Sequence, residues 1–167
     1  MNNPDQQSDL KRLSRAVNRI IEHLLFGLGA LMTTVVALQV FFRYGLNQSL
    51  FWSEELARFL LVWLSLLGAS VAYYRRMHVG IDIVFKRLAP PLQRAAEVAT
   101  HLAALVLFAV MVVYGCQFGY FVRAQITPAL NLPKWTVFVA IPASGAVMAF
   151  YAITFLVDAV RGTARDH

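Results

Sequence analysis

The chain has 167 residues, of which 59% are hydrophobic and 14% are charged, whereas ordinary soluble domains are about 45 to 50% apolar and about 25% charged. That imbalance argues against a soluble domain and for lipid as the main solvent, and the length leaves room for one compact bundle without an added soluble domain of typical size. A net charge of +6 would suggest nucleic acid as partner of a soluble protein, but here the cations flank apolar runs and read as topology signals.

In chain order, Leu10, Leu13, Val17, Ile20, Ile21 and Leu24 recur at spacings of three and four, with Lys11, Arg12, Arg15 and Arg19 between them. This is the pattern of an amphipathic helix lying on an anionic membrane surface, and Ser8 or Asp9 is placed to cap it. Four apolar runs follow, at 24–42, 56–74, 98–122 and 135–157. Each has about 19 to 25 residues, enough at about 1.5 Å per residue to cross a hydrocarbon core of about 30 Å. The first run is followed only by FFRYGLNQS, with no small-residue cleavage site, so it is expected to stay as a membrane helix. Between the second and third runs, Ile81, Val84, Phe85 and Leu88 share one helical face before Pro90 and Pro91, which predicts a short helix along the cytoplasmic headgroups. The expected fold is an all-α integral membrane protein. It has one domain over residues 1–167, four transmembrane helices and amphipathic interfacial helices at the N-terminus and in the cytoplasmic loop.

Orientation follows from the cations. Eleven of the fifteen Lys and Arg residues fall on the side that holds both termini, leaving Arg43, Arg58, Arg123 and Lys134 on the other. By the positive-inside rule both termini are cytoplasmic.

Polar groups concentrate at residues 51–82, FWSEELARFLLVWLSLLGASVAYYRRMHVGID. On a 3.6-residue wheel Glu54, Arg58, Ser65, Gly68 and Ala72 form one face, expected to meet protein, and Leu60, Leu64, Leu67 and Val71 the other, expected to meet lipid. Glu54 and Glu55 lie four and three residues before Arg58, spacings that allow an ion pair. Trp52 and Trp63 are suited to a membrane interface. Arg75, Arg76, His78 and Asp82 are expected to mark the cytoplasmic boundary. His78 and Asp82 are four residues apart, but two ligands are too few for a metal site.

The third run carries Gly115 and Gly119 at GxxxG spacing, which allows close backbone approach. Cys116 beside them reads as a small packing residue. The connection RAQITPALNLPKW should be stiffened by Pro128 and Pro133, and Pro142 should bend the fourth helix. Gly145 and Ala149 offer a further small-residue contact.

No nucleophile and base pair, phosphate loop or metal cluster with motif spacing is present in the sequence, so no enzyme activity and no cofactor is expected. One alternative is a four-helix haem anchor of a respiratory complex, with ligands among His23, His78 and His101. Another is a self-sufficient homo-oligomeric transporter, which would need an ionisable pore residue near mid-membrane. Gln117 is polar but not ionisable, and Ser65 gives that role little support.

FFRY at 41–44, WSEELAR at 52–58, Trp63, LGAS at 67–70, RRMHVGID at 75–82 and TPALNLPKW at 127–135 together resemble the DctQ-type small membrane subunit of tripartite ATP-independent periplasmic (TRAP) transporters. The resemblance covers nearly the whole chain. It implies a scaffold that partners a large membrane subunit and a periplasmic solute-binding protein, with membrane lipids around it, no nucleic acid, and sodium-coupled uptake of organic acids carried by the large subunit. Asn131 and Lys134 depart from the glycine and apolar residues usual in that loop. The expected subunit-contact residues are Arg43, Trp52, Glu54, Glu55, Arg58, Trp63, Gly68, Gly115 and Gly119.

Overall fold

The computed structural model describes residues 4–75 and 90–161. They form α1 (Pro4–Gly45), α2 (Phe51–Tyr74), α3 (Pro90–Phe121), the single turn α4 (Trp135–Phe138) and α5 (Ala140–Arg161). Four segments are long and apolar enough to cross a membrane: Leu10–Gly45, Phe51–Tyr74, Ala95–Phe121 and Trp135–Ala159. The all-α membrane fold expected from the apolar runs is therefore present. Arg76, His78 and Asp82, and the interfacial helix expected around 81–88, lie outside the described residues. The bundle has a terminal end, where α1 begins and α5 finishes, and a loop end, which holds residues 46–50 and 122–134.

The amphipathic segment 10–24 is continuous with the first span rather than a separate helix. Nothing between residues 10 and 45 stops the helix, since the stretch has no proline and a helical glycine such as Gly27 or Gly29 costs only about 1 kcal/mol. Forty-two residues at about 1.5 Å each make α1 about 63 Å long, roughly twice a hydrocarbon core. Its inner side carries Ser14, Asn18, Ile21 and Val35, while Leu13, Ile20, Leu24 and Phe26 are exposed.

The central helices are α2 and α5, with α1 packed mainly on α2 and α3 on α5. One apolar cluster joins Tyr73 of α2, Phe108 of α3 and Met148, Tyr151 and Ala152 of α5. A second joins Ile21 of α1 to Leu67 and Val71 of α2, with Trp63 and Val147 packed against it.

The leucine face of α2 corrects the wheel's assignment to lipid. Leu60, Leu67 and Val71 are only 6%, 7% and 8% exposed and lie in the core, while Glu54, Arg58, Ser65 and Ala72 point outward. A wheel separates two faces without saying which of them has a helical neighbour, and leucine and valine suit a packed seam as well as they suit lipid.

Between α3 and α5 the seam depends on glycine. A Cβ on Gly115 would lie 2.8 Å from Pro142 Cδ and 3.1 Å from the Pro142 backbone nitrogen. In the same seam, a Cβ on Gly145 would meet Met111 Cβ at 3.1 Å and the Phe108 carbonyl oxygen at 3.3 Å. Gly115, expected at a contact with another subunit, is thus used inside the chain, whereas Gly119 and Gly68 face open space. Pro142 has no N–H to offer the Phe138 carbonyl four residues earlier, and the helix is interrupted at Val139 between α4 and α5. The interruption is local, because Val139 N–H donates to the Trp135 carbonyl at 2.9 Å and Ala143 N–H to the Val139 carbonyl at 3.1 Å.

Gly115→Ala should therefore destabilise the bundle by about 1 to 3 kcal/mol, as overpacking does, while Gly119→Ala should stay within about 0.5 kcal/mol of the parent. Thermal unfolding of both variants in one detergent checks this, and equal midpoints would contradict the assigned seam.

Candidate functional site

At the loop end, α2 starts on a hydrogen-bonded turn that does not need a capping side chain at Leu50. The Leu50 carbonyl accepts from Ser53 twice, from its hydroxyl at 2.7 Å and from its N–H at 3.2 Å. Ser53 is fully buried, and this turn sets the direction of the two carboxylates that follow. Glu54 is exposed in the first turn, where the helix dipole favours a negative charge. Glu55 turns the other way, toward the connection between α3 and α4.

Glu55 Oε2 accepts the Ala129 backbone N–H at 2.9 Å. The Thr127 hydroxyl and Leu130 backbone face the same carboxylate, whose Oε1 is buried and has no hydrogen bond of normal geometry among the described residues. The connection is itself ordered. Ile126 and Pro133 pair as an antiparallel bridge, Thr127 N–H donates to the Leu132 carbonyl at 2.9 Å and Lys134 N–H to the Gln125 carbonyl at 2.9 Å. Leu132 N–H donates to the Thr127 hydroxyl at 3.1 Å, and Lys134 Nζ donates to Gln125 Oε1 at 3.0 Å. Asn131 has φ 53°, in the left-handed region that glycine and asparagine both adopt. Its departure from the usual glycine therefore preserves the turn.

The expected ion pair between Arg58 and Glu54 or Glu55 is not made. Glu55 is committed to the loop, Glu54 stays at the exposed helix start, and Arg58 points outward. Arg43 is also exposed, its guanidinium carbon 6.0 Å from the centre of the Tyr44 ring. Trp52 is 39% exposed at the mouth of α2. Trp63, by contrast, is half-buried and packs against Ile21, Leu67 and Val71 within the chain.

The terminal end holds contacts that the sequence reading missed. Glu22 Oε1 accepts from Arg75 Nη2 at 2.7 Å, from Arg75 Nε at 3.2 Å and from Asn18 Nδ2 at 2.7 Å. Lys11 Nζ lies 3.3 Å from Asp158 Oδ2. The available signal was Asn18 and Glu22, four residues apart on the flank of the α1 face that buries Ile21. Arg75 thus ties α2 to α1. His23 Nδ1 contacts the Arg19 carbonyl at 2.7 Å and His101 Nδ1 contacts the Tyr73 hydroxyl at 3.1 Å. The two described histidines are engaged on separate helices.

Glu55→Gln keeps the shape but removes the charge that strengthens the bond to Ala129, and Glu55→Ala removes the acceptor. The alanine variant should speed hydrogen exchange at the Ala129 amide by about tenfold or more, as loss of about 1.5 to 3 kcal/mol implies, with the glutamine variant in between. Exchange measured by mass spectrometry checks this, and an unchanged rate at Ala129 would show that Glu55 does not hold the loop.

Comparison with known proteins agrees with this architecture. Residues 32–162 match the model of the family described as tripartite ATP-independent periplasmic transporters, DctQ component. A Haemophilus influenzae protein assigned as a TRAP transporter small permease is 26% identical over 156 residues, covering 90% of this chain and 94% of its own. The sialic acid TRAP transporter small permease SiaQ of Vibrio cholerae is 32% identical over 109 residues, covering 65% of this chain and 63% of its own. The isethionate TRAP transporter permease DctMQ of Oleidesulfovibrio alaskensis is 33% identical over 115 residues, which are 66% of this chain but only 18% of that protein. The family match covers most of the chain, from within the first span to the end of the fourth, and the chain accordingly belongs to the DctQ family: it is a multi-pass inner-membrane protein and a TRAP transporter small permease subunit, not an enzyme.

Proposed function

We propose that this chain is the noncatalytic scaffold of its transporter, holding a large membrane subunit in place during uptake of organic acids that a periplasmic solute-binding protein delivers. Sodium coupling and solute recognition belong to the large subunit in this reading. The observation that carries it is the outward face of α2. Arg58, Ser65 and Ala72 are exposed there, and Gly68 has open space above it, while the leucine face is already used inside the bundle. A charged side chain costs about 2.5 to 3.5 kcal/mol at a membrane helix centre, and less near the end where Arg58 lies. Small residues allow another helix to come close. A polar and small face turned away from its own bundle suits a protein neighbour better than lipid.

Two relatives support a large partner. DctMQ and the sialic acid TRAP transporter permease SiaT of Haemophilus influenzae are longer proteins, of which the matched region makes up 18% and 19%. The solute class draws on names as well: relatives are named for isethionate, sialic acid, C4-dicarboxylate and ectoine, each of which carries an acidic group. Both termini are cytoplasmic in this reading, which puts Glu55 and its loop on the periplasmic side.

Arg58→Glu should cut copurification of the large subunit about tenfold, equivalent to about 1.4 kcal/mol of association free energy. Unchanged copurification and uptake would remove Arg58 from the contact. For orientation, single cysteines at Gln48 and Pro90 in a Cys116→Ser background should differ: an impermeant thiol reagent added to whole cells should label the first and not the second. The reverse pattern would invert the topology.

A further inference from the structure

Among the described residues, the contacts at the terminal end leave two buried polar atoms without partners. Asn18 is 7% exposed and Tyr151 is 0% exposed, and neither Asn18 Oδ1 nor the Tyr151 hydroxyl has a hydrogen bond to another described residue. The orientation of the Asn18 amide follows from its neighbour. An ionised carboxylate only accepts hydrogen bonds, and Glu22 is paired with Arg75 at 2.7 Å. The Asn18 atom 2.7 Å from Glu22 Oε1 must therefore be the amide nitrogen, and the amide oxygen is left on the other side.

Tyr151 reaches the same junction from α5. Its ring centroid is 4.9 Å from that of Tyr74, Val17 packs against the cluster that contains it, and Tyr74 and Glu22 are the titratable neighbours whose charge acts on its hydroxyl. A phenol can donate and accept, and an amide oxygen accepts. The two do not bond each other directly. Buried polar groups without partners are rare in native proteins, and the usual agent that completes them is a water molecule with two to four polar neighbours.

We propose that the junction of α1, α2 and α5 is a binding site for an internal water, which accepts from the Tyr151 hydroxyl and donates to Asn18 Oδ1. The water extends the network of Arg75, Glu22 and Asn18 from α2 and α1 to α5. It makes the attachment of α1 at this end a polar, three-helix joint beside the two apolar clusters. This inference does not depend on the identity of the transported solute or of any partner subunit.

Radiolytic footprinting of the wild-type protein in nanodiscs tests the site without a substitution. A bound water generates hydroxyl radical where it sits, so Tyr151 should be oxidised despite its burial, and oxygen-18 from fresh solvent should enter it more slowly than it enters Tyr44, exposed at the loop end of α1. No oxidation of Tyr151 while Tyr44 is modified would overturn the proposal. A double-mutant cycle gives an independent readout. Tyr151→Phe and Asn18→Leu should each lower the unfolding midpoint, and the double variant should fall no further than the worse single variant. Additive losses, or a midpoint raised by Tyr151→Phe, would mean a dry junction and would also overturn it.

Discussion

The bundle depends on the contact between α3 and α5, where Gly115 rests on Pro142. In lipid there is little hydrophobic drive to bring two helices together, so association relies on close packing. The 2.8 Å that a Cβ at Gly115 would leave to Pro142 marks how little room a side chain has there. The same proline prevents α4 and α5 from being one uninterrupted helix. Close packing and the break at Val139 therefore come from a single residue, and together they set where the chain emerges at the loop end.

That emergence point lets the loop meet α2. The turn from Thr127 to Leu132 is folded by its own backbone bonds, and Glu55 then fixes it from outside through Ala129. Ser53 and Glu55 have become internal parts of the fold, while Glu54 and Arg58, from the same motif, remain outside. One short sequence thus serves two ends, with some residues bracing the subunit and others leaving charge exposed on its surface.

Much of the fold was legible in the sequence because the controlling variable, twenty or so consecutive apolar residues, is local. Four runs predicted four spans, and all four are present. What was not legible depended on neighbours. The wheel separated Leu60, Leu67 and Val71 from Glu54, Arg58 and Ser65 correctly, yet it placed lipid on the wrong side, because both lipid and a packed helix accept leucine. Spacing allowed Glu55 to pair with Arg58, but a backbone amide 74 positions further along the chain competes for the same carboxylate. The GxxxG pair split for a similar reason: Gly115 faces Pro142 and Gly119 faces open space. Asp158 was passed over because a single polar residue in an apolar helix carries no pattern until its partner is known, and the spacing of four between Asn18 and Glu22 gave no sign of their third partner, Arg75.

The bond between Glu55 and Ala129 also sets an order of assembly. Its two residues are far apart in sequence, and a membrane protein inserts its helices before packing them. The hairpin of α1 and α2 is made long before the ribosome reaches residue 129. During that interval the Glu55 carboxylate is left to interfacial water, and the fold acquires this long-range polar latch only when the second hairpin arrives. Biogenesis thus passes through a state in which the entrance of α2 is still open.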